Sequence, residues 1–169
     1  QHLIAHRPHD AEAMLNGLIR YLRESLPKMR DSCSTLGQEF ALASAYLDIA
    51  RIRLGGRLRV ETTLADELVA FACPPLVIQT LVENALKHGV EPKVGPVTVR
   101  MAAEAVSDGV DVRVEDDGVG LGELQGQGVG LQNIRERLDA VYRGRARLML
   151  QPNSPTGVVA TVHIPREAA

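Results

Sequence analysis

The first third of the chain has apolar residues at the spacing of two amphipathic helices. Asp10 is a suitable N-cap for a helix reaching Leu26, where Pro27 would stop it, and Thr35 is a suitable N-cap for a longer helix ending near Leu54. The apolar seams are narrow: Met14, Leu18, Tyr21, Leu22 and Leu26 in the first helix, and Leu36, Phe40, Ala43, Leu47 and Ala50 in the second. Because such helices gain most of their stability from association, we predict a helical hairpin that packs on a partner helix or chain.

The next helix is the most strongly patterned stretch. After Pro74-Pro75, which suit a first helical turn, an apolar stripe recurs at i, i+3, i+4 and i+7, formed by Ile78, Leu81, Val82 and Ala85. Gly89 is expected to end this helix as a C′ glycine. An adjacent face collects four polar side chains: Glu83, Asn84, Lys87 and His88. Alone, this face is more typical of a solvated surface with an i,i+4 ion pair than of a functional site.

From Gly56 onward the apolar residues alternate with a period of two. Strands are predicted at Leu58–Thr62, at Val97–Met101 and Val110–Val114 joined by the turn Ser107-Asp108-Gly109, and at Leu148–Leu150 and Val158–Ile164 joined by a turn. Helices and antiparallel strands in this order predict an α+β two-layer sandwich, with a mixed, largely antiparallel sheet covered by helices on one face. We expect residues 1–55 to form a helical segment and residues 56–169 a separate domain.

Composition restricts the function further. The 169 residues are 45% hydrophobic and 24% charged, which is typical of a globular protein, and a net charge of −2 argues against nucleic-acid binding. No apolar run approaches eighteen residues and there is no signal peptide, so this chain is expected neither to span a membrane nor to be exported by itself. Cys33 and Cys73 lack metal-site spacing and suggest a reducing compartment.

A glycine-rich segment follows the predicted hairpin. Asp116-Asp117-Gly118-Val119-Gly120 comes directly after a strand, where a carboxylate and close backbone approach suit a flat heterocycle with an amino group. Gly126, Gly128 and Gly130 precede a helix with the apolar stripe Leu131, Ile134, Leu138 and Val141, and backbone N–H groups at such a helix start suit an anion. There is no Lys-Ser/Thr for a P-loop and no parallel βαβ context for a dinucleotide fold. A flexible surface loop is the alternative.

Together these three elements resemble the N, G1 and G2 boxes of the GHKL, or Bergerat-fold, ATPases. The finer resemblance is to the LytS-type sensor histidine kinases, whose G-x-G-L-x-N-x-x-x-R-L helix is matched by Gly128, Gly130, Leu131, Asn133, Arg137 and Leu138. The stretch Leu36–Arg53, with Glu39, Tyr46, Leu47 and Arg53, resembles the family's helix before the ATP domain. Asp10–Leu26 resembles the segment after the phosphoacceptor helix. The resemblance covers nearly the whole chain.

The resemblance implies a role for each matched residue. Asn84 would hold the Mg²⁺ that bridges the ATP phosphates, Glu83 would orient water or the accepting group, and Asp116 would bind the adenine amino group. The remaining implied cofactor contacts are Lys87 and His88 near the phosphates, Gly118 and Gly120 beside the base, and Gly126, Gly128, Gly130 and Leu131 in the lid motif. The implied chemistry is transfer of the γ-phosphoryl group of ATP to a histidine and then to an aspartate of a response regulator. The implied setting is a cytoplasmic part, without membrane contact of its own, of a homodimeric, membrane-anchored sensor.

Two departures from the family pattern stand out. The phosphoacceptor motif N-P-H-F-L-F-N is missing, and helix register places it roughly ten residues before Gln1, so His2, His6 and His9 are not nominated. Gly157 is followed by Val158, where the family often has Gly-Thr. Two alternatives remain: a nucleotide-free dimerisation or interaction module, and another GHKL enzyme such as an anti-sigma serine kinase.

Overall fold

The computed structural model describes residues 8–28, 33–120 and 129–166. The helices are α1 (Pro8–Lys28), α2 (Leu36–Leu54), α3 (Val77–Asn84) and α4 (Val129–Tyr142). The strands are β1 (Ser34–Thr35), β2 (Leu58–Thr63), β3 (Ala72–Cys73), β4 (Val97–Val106), β5 (Gly109–Asp116), β6 (Arg147–Pro152) and β7 (Val158–Pro165). A π-helical turn, Ala85–Val90, extends α3, and two short 3₁₀ turns occupy Gly55–Arg57 and Asp66–Leu68.

The main sheet has five strands in the order β2-β4-β5-β7-β6. β2 runs parallel to β4, and every other neighbouring pair is antiparallel. Alternate residues of β4 and β5 are buried, and they form one core with the buried sides of α2, α3 and α4. The predicted α+β sandwich with a mixed, largely antiparallel sheet is therefore confirmed.

The two N-terminal helices form as predicted, but the bounds of α1 differ. α1 begins at Pro8, so Asp10 lies inside it and the predicted N-cap is wrong. An N-cap residue has non-helical φ and ψ, whereas Asp10 is in helical conformation. Pro27 lies in the last turn instead of ending the helix before it, because its own φ is also helical. The prediction for α2 is confirmed: Thr35 forms a capping box with Gln38.

The prediction that Pro74 and Pro75 precede α3 is confirmed, but its predicted end at Gly89 is wrong. Pro74 and Pro75 precede the helix, and the N-cap is Leu76, in the left-handed region at φ 64°. Gly89 does not end the helix, because it lies within the π-helical turn that continues to Val90. Position 89 requires a glycine because a side chain there would collide with the Asp116 carboxylate. The apolar stripe of α3 is buried as predicted, with Ile78, Leu81, Val82 and Ala85 all in the core.

One position of the predicted stripe on α4 is also wrong. Leu131, Ile134 and Leu138 are buried, but Val141 is 45% exposed and Tyr142 is buried instead. Eleven residues make about three full turns of a helix. Tyr142, and not Val141, therefore lies on the same face of α4 as Leu131. Among the described residues, no helix combines the length and the apolar character needed to cross a membrane.

Candidate functional site

The carboxylate of Asp116 enters a cavity between the sheet and the helices. On β5 it continues the alternation of Val110, Val112 and Val114, which all face the core, so the strand's period of two turns Asp116 inward. Its residue exposure is only 3%. The cavity is partly open to solvent, and it is lined by Leu81, Asn84, Ala85, His88, Gly89, Val114, Asp116, Leu131, Leu150, Val158 and Ala160. One buried carboxylate thus lies in a mainly apolar cavity.

The environment of this carboxylate raises its pKa. Burial is the largest cause, because it disfavours the charged form, and the neighbouring Asp117 charge adds to it. Hydrogen bonds from the backbone N–H groups of Gly118 and Val158, and the charge of Lys93, act in the opposite direction. The Gly118 N–H donates to Asp116 Oδ1 over 2.8 Å. Asp116 is therefore a desolvated acceptor fixed in orientation by backbone.

The adjacent Asp117 has a different role. Its Oδ1 accepts from the Thr98 N–H at 2.9 Å and lies 3.4 Å from the Lys93 ammonium, which also donates to the Asp117 carbonyl. These contacts tie the end of β5 to the start of β4. Of the two consecutive aspartates, only Asp116 lines the cavity.

Three glycines allow this arrangement by close approach. A Cβ on Gly89 would lie 2.4 Å from Asp116 Oδ1, and a Cβ on Gly118 would lie 2.3 Å from the Gly89 carbonyl carbon. Gly157 has φ +108°, and a Cβ there would lie 1.9 Å from the Asp116 carbonyl oxygen. Side chains at these positions would displace the backbone around Asp116. This explains why Gly89 is a glycine although it does not end a helix.

Asn84 lies across the cavity, at the last turn of α3. Its Nδ2 donates to the Thr80 carbonyl oxygen over 2.8 Å. Because the amide nitrogen is engaged, Oδ1 is the atom that can accept a hydrogen bond or coordinate a cation. Gly130, at the start of α4, lies close by: a Cβ on it would be 3.2 Å from Thr80 Cγ2 and 3.4 Å from Asn84 Nδ2.

The structure brings only some of the predicted site residues into one cavity. Asn84, His88, Asp116 and Leu131 line it together, and Gly118 adjoins it through its hydrogen bond to Asp116. Lys87 is exposed, and Glu83 is half-buried and hydrogen-bonded to Gln79. Gly120 has φ +88° and approaches the backbone of Gly157. Gly126 and Gly128 lie outside the described residues, as do His2 and His6, and the side chain of His9 is not described.

Sequence reasoning missed the contribution of the β6–β7 turn. Asn153 Nδ2 donates to the Asp116 carbonyl oxygen over 2.8 Å, and the Thr156 hydroxyl donates to the Asp117 carbonyl oxygen over 3.2 Å. Val158, the residue that departs from the Gly-Thr pattern, lines the cavity. In the sequence, only Gly157 before the final strand pointed to this turn. The sequence did not show that Gly157 packs against the backbone of Asp116 and Asp117.

Comparison with known families matches two parts of the chain. Residues 74–168 match the family of histidine kinase-, DNA gyrase B-, and HSP90-like ATPases. Residues 1–58 match the family described as histidine kinase. The first match covers more than half of the chain and contains Asn84, Asp116 and Gly157.

Individual relatives agree with these families. The chain is 30% identical over 166 residues to the sensor histidine kinase YesM of Bacillus subtilis, covering 95% of this chain and 29% of YesM. It is 27% identical over 168 residues to the sensor protein LytS of Staphylococcus haemolyticus, covering 92% of this chain and 29% of that protein. The chain thus spans less than a third of either relative.

Solved structures share the fold. The histidine kinase domain of the Erythrobacter litoralis EL346 blue-light activated kinase has a TM-score of 0.62 at 23% identity, covering 90% of this chain and 74% of that one. The ATP-binding domain of PrrB from Mycobacterium tuberculosis has a TM-score of 0.57 at 16% identity, covering 80% and 97%. The chain belongs to the family of histidine kinase-, DNA gyrase B- and HSP90-like ATPases.

Proposed function

We propose that this chain is the catalytic part of a sensor histidine kinase. It binds Mg-ATP and transfers the γ-phosphoryl group to a histidine on a helix outside these residues, and a response-regulator aspartate then receives the group. The observation that carries the proposal is the buried Asp116 carboxylate in an apolar cavity that Asn84 also lines. The histidine kinase match over residues 1–58 favours this function over a serine kinase of the same superfamily.

Adenine fits the chemistry of the cavity. Its exocyclic amino group donates a hydrogen bond, and an ionised carboxylate only accepts, so Asp116 would select adenine over a base that presents a carbonyl there. Leu81, Val114 and Leu150 supply apolar surface for the faces of the ring. Gly118 and Gly120 would let backbone approach its edge.

Mg²⁺ would be held between Asn84 and the phosphates. An amide oxygen is a hard ligand suited to Mg²⁺, which usually takes one or two protein ligands and completes its octahedron with phosphate oxygens and water. No group of three or more acidic, histidine or cysteine side chains within the described segments could hold a metal ion. This agrees with a cation that arrives with its nucleotide. When bound, Mg²⁺ would neutralise charge on the phosphates.

The transfer step assigns roles to the remaining residues. The bond between the γ-phosphorus and the bridging oxygen of ATP breaks, a bond to an imidazole nitrogen forms, and ADP leaves. Glu83 would accept a hydrogen bond from the other imidazole N–H and so orient the attacking nitrogen. Lys87 and His88 would lie near the phosphates, and Gly126, Gly128 and Gly130 would belong to a lid over them. Leu131 would contact the nucleotide from the wall of the cavity.

Calorimetric titration of the purified chain tests this function. We expect ATP and ADP to bind with an affinity that rises on adding Mg²⁺, and GTP to bind at least about tenfold more weakly because Asp116 would face a carbonyl oxygen. Absence of adenine-nucleotide binding with Mg²⁺ would refute the proposal and favour an interaction module that keeps the fold.

Nucleotide affinity should depend on pH through Asp116. Burial raises the pKa of this carboxyl above its ordinary value of 3.8, so protonation begins at a higher pH than for an exposed aspartate. Since adenine needs the ionised acceptor, ADP affinity should fall as the pH falls through that raised pKa. The contribution of Asp116 to the free energy of unfolding changes with pH in the opposite direction to ADP affinity. It is largest below pH 3.8 and is lost as the pH rises through the raised pKa of the folded state.

The measurement is the ADP dissociation constant at a series of pH values from about 5 to 8. Asp116→Asn is the matched control, because an amide does not titrate in this range. We expect a weaker affinity for this variant, and its pH dependence should keep the part that comes from the phosphates of ADP and lose the part that comes from Asp116. An identical pH dependence in both proteins would assign the effect to another group.

An exposed apolar stripe on α1 supports a homodimer. Leu15, Leu18, Ile19 and Leu22 recur at i, i+3, i+4 and i+7 and are 58%, 43%, 47% and 43% exposed. A second copy covering this stripe would remove it from water. The double change Leu15→Glu/Ile19→Glu should convert a dimer into a monomer in sedimentation equilibrium, whereas Val94→Glu, at an isolated residue that is 95% exposed, should not. A wild-type chain that stays monomeric at every concentration would contradict this surface.

The proposal also places the chain in the cytoplasm, where ATP and response regulators occur, with the sensor of the parent kinase anchored in the membrane. Fractionation of cells that express the parent protein tests this. Recovery of the ATP-binding part on the outer side of the membrane would contradict it.

A further inference from the structure

Gln79 connects the proposed catalytic glutamate to α1. It lies one turn before Glu83 on α3 and is only 2% exposed. Its Nε2 donates to Glu83 Oε1 over 2.8 Å and to the hydroxyl oxygen of Tyr21, on α1, over 3.3 Å. The two hydrogens of the carboxamide thus contact two different elements.

The carbonyl oxygen of the Gln79 side chain shows which of its interactions matter. Gln79 Oε1 is buried and has no hydrogen-bond partner among the residues that the structure describes. An unpaired buried acceptor typically costs about 1–3 kcal/mol, so burial alone does not favour glutamine here. A methionine of similar shape would fill the space without that cost. The hydrogen bonds that the Gln79 amide donates to the Glu83 carboxylate and the Tyr21 hydroxyl explain why a glutamine occupies this position.

Two tyrosines surround the same carboxylate. The rings of Tyr21 and Tyr46, on α1 and α2, lie 5.6 Å apart at an angle of 42°. Burial is the main cause that raises the pKa of both hydroxyls, and the negative charge of Glu83 raises each further. Glu83 therefore lies beside the helical segment, and it is not among the residues that line the cavity of Asp116.

We propose that Gln79 and Tyr21 are positioning residues for Glu83, and that α1 controls the orientation of this carboxylate through the Tyr21 hydroxyl. The inference rests on the proposed function, in which Glu83 orients the accepting imidazole. A displacement of α1 against α3 would break the longer contact first, at Tyr21, and release Gln79 to turn away from Glu83. Movement in the helical segment would thus reach the transfer step without changing the nucleotide cavity.

Gln79→Met and Tyr21→Phe test this positioning role. Mg-ATP affinity and thermal stability are measured on residues 1–169, and phosphoryl transfer on a polypeptide that carries the proposed acceptor helix in front of them. For Gln79→Met we expect unchanged Mg-ATP affinity and an unchanged or higher Tm. Transfer should be slowed roughly tenfold or more, which is a part of the 10²–10⁴-fold contribution of a positioned catalytic group. Tyr21→Phe should also slow transfer and leave the Mg-ATP affinity unchanged.

Tyr46→Phe is the matched control for Tyr21→Phe. It makes the same chemical change in the same ring pair, but the Tyr46 hydroxyl makes no described hydrogen bond to Gln79. We expect its transfer rate to stay within about twofold of wild type. Full transfer rates in both Gln79→Met and Tyr21→Phe would overturn the inference, as would equal losses in Tyr21→Phe and Tyr46→Phe. Failure of the wild-type chain to bind Mg-ATP would instead refute the proposed function.

Discussion

Asn84→Ala is expected to lower the affinity for Mg-ATP by about a hundredfold while leaving the fold intact. Loss of a contact to a charged group typically costs about 1.5–3 kcal/mol, and a lost metal ligand lies at the upper end of that range. The stability cost is small, because the change removes one hydrogen bond, to the Thr80 carbonyl oxygen, from a half-buried helix end. Calorimetric titration with Mg-ATP and a thermal melt measure the two effects.

Two comparisons isolate the cation from the rest of the site. In excess chelator, ADP should bind Asn84→Ala and wild type with similar affinity, because the Asp116 side of the cavity is unchanged. Asn16→Ala removes the same amide from an exposed position on α1 and should leave all affinities at wild-type values. A large fall in Tm for Asn84→Ala would show that the residue is structural. Retained Mg-ATP affinity would remove it from the proposed cation site.

Local signals were sufficient for most of the fold. The end points of α2 follow from a capping threonine and a glycine pair, and both act within one helical turn. The strands follow from alternation, and the same alternation aligns Asp116 with three buried valines. A carboxylate in phase with a hydrophobic face is a signal that sequence alone carries, because each residue's side of a strand depends only on its position along it.

The sequence-based predictions failed where the choice of residue depends on a contact with a distant part of the chain. A glycine after an apolar helix usually ends it, but Gly89 accommodates the Asp116 carboxylate and the backbone of Gly118. No local rule distinguishes a glycine required by its own φ from one required by a neighbour's atoms. The contacts of Asn153 and Thr156 with the end of β5 were missed for the same reason, since they depend on the pairing of β5 with β7.

The positioning of Glu83 shows a further limit of sequence reasoning. Its i,i+4 spacing to Lys87 suggested an ordinary surface pair, yet its described hydrogen bond goes back one turn, to Gln79. Gln79 falls among buried positions of α3 and carries no motif of its own, and Tyr21 lies far away in sequence. Only the packing of α1 on the other helices brings the three together.

Gly157→Ala should destabilise the protein and weaken ADP binding together. The φ of +108° is strained for any side chain, which typically costs about 1–3 kcal/mol. The added Cβ would also lie 1.9 Å from the Asp116 carbonyl oxygen and 2.8 Å from the Asp117 Cα, so the end of β5 must move. Overpacking adds about 1–3 kcal/mol. We expect a loss of about 3 kcal/mol or more, which lowers the Tm by roughly 6–12 °C in a domain of this size.

Gly95→Ala separates backbone strain from displacement of the site. Gly95 has a similar φ, +95°, but a Cβ there would meet no atom within 4 Å. It should therefore lower the Tm by only about 2–4 °C, the effect of roughly 1 kcal/mol, and leave ADP affinity unchanged. Thermal melts and ADP titrations of both variants make the comparison. If the two variants lose equal stability and both bind ADP as wild type does, the contact of Gly157 with Asp116 does not hold the site; if only Gly157→Ala loses ADP, the turn before β7 is part of the adenine site.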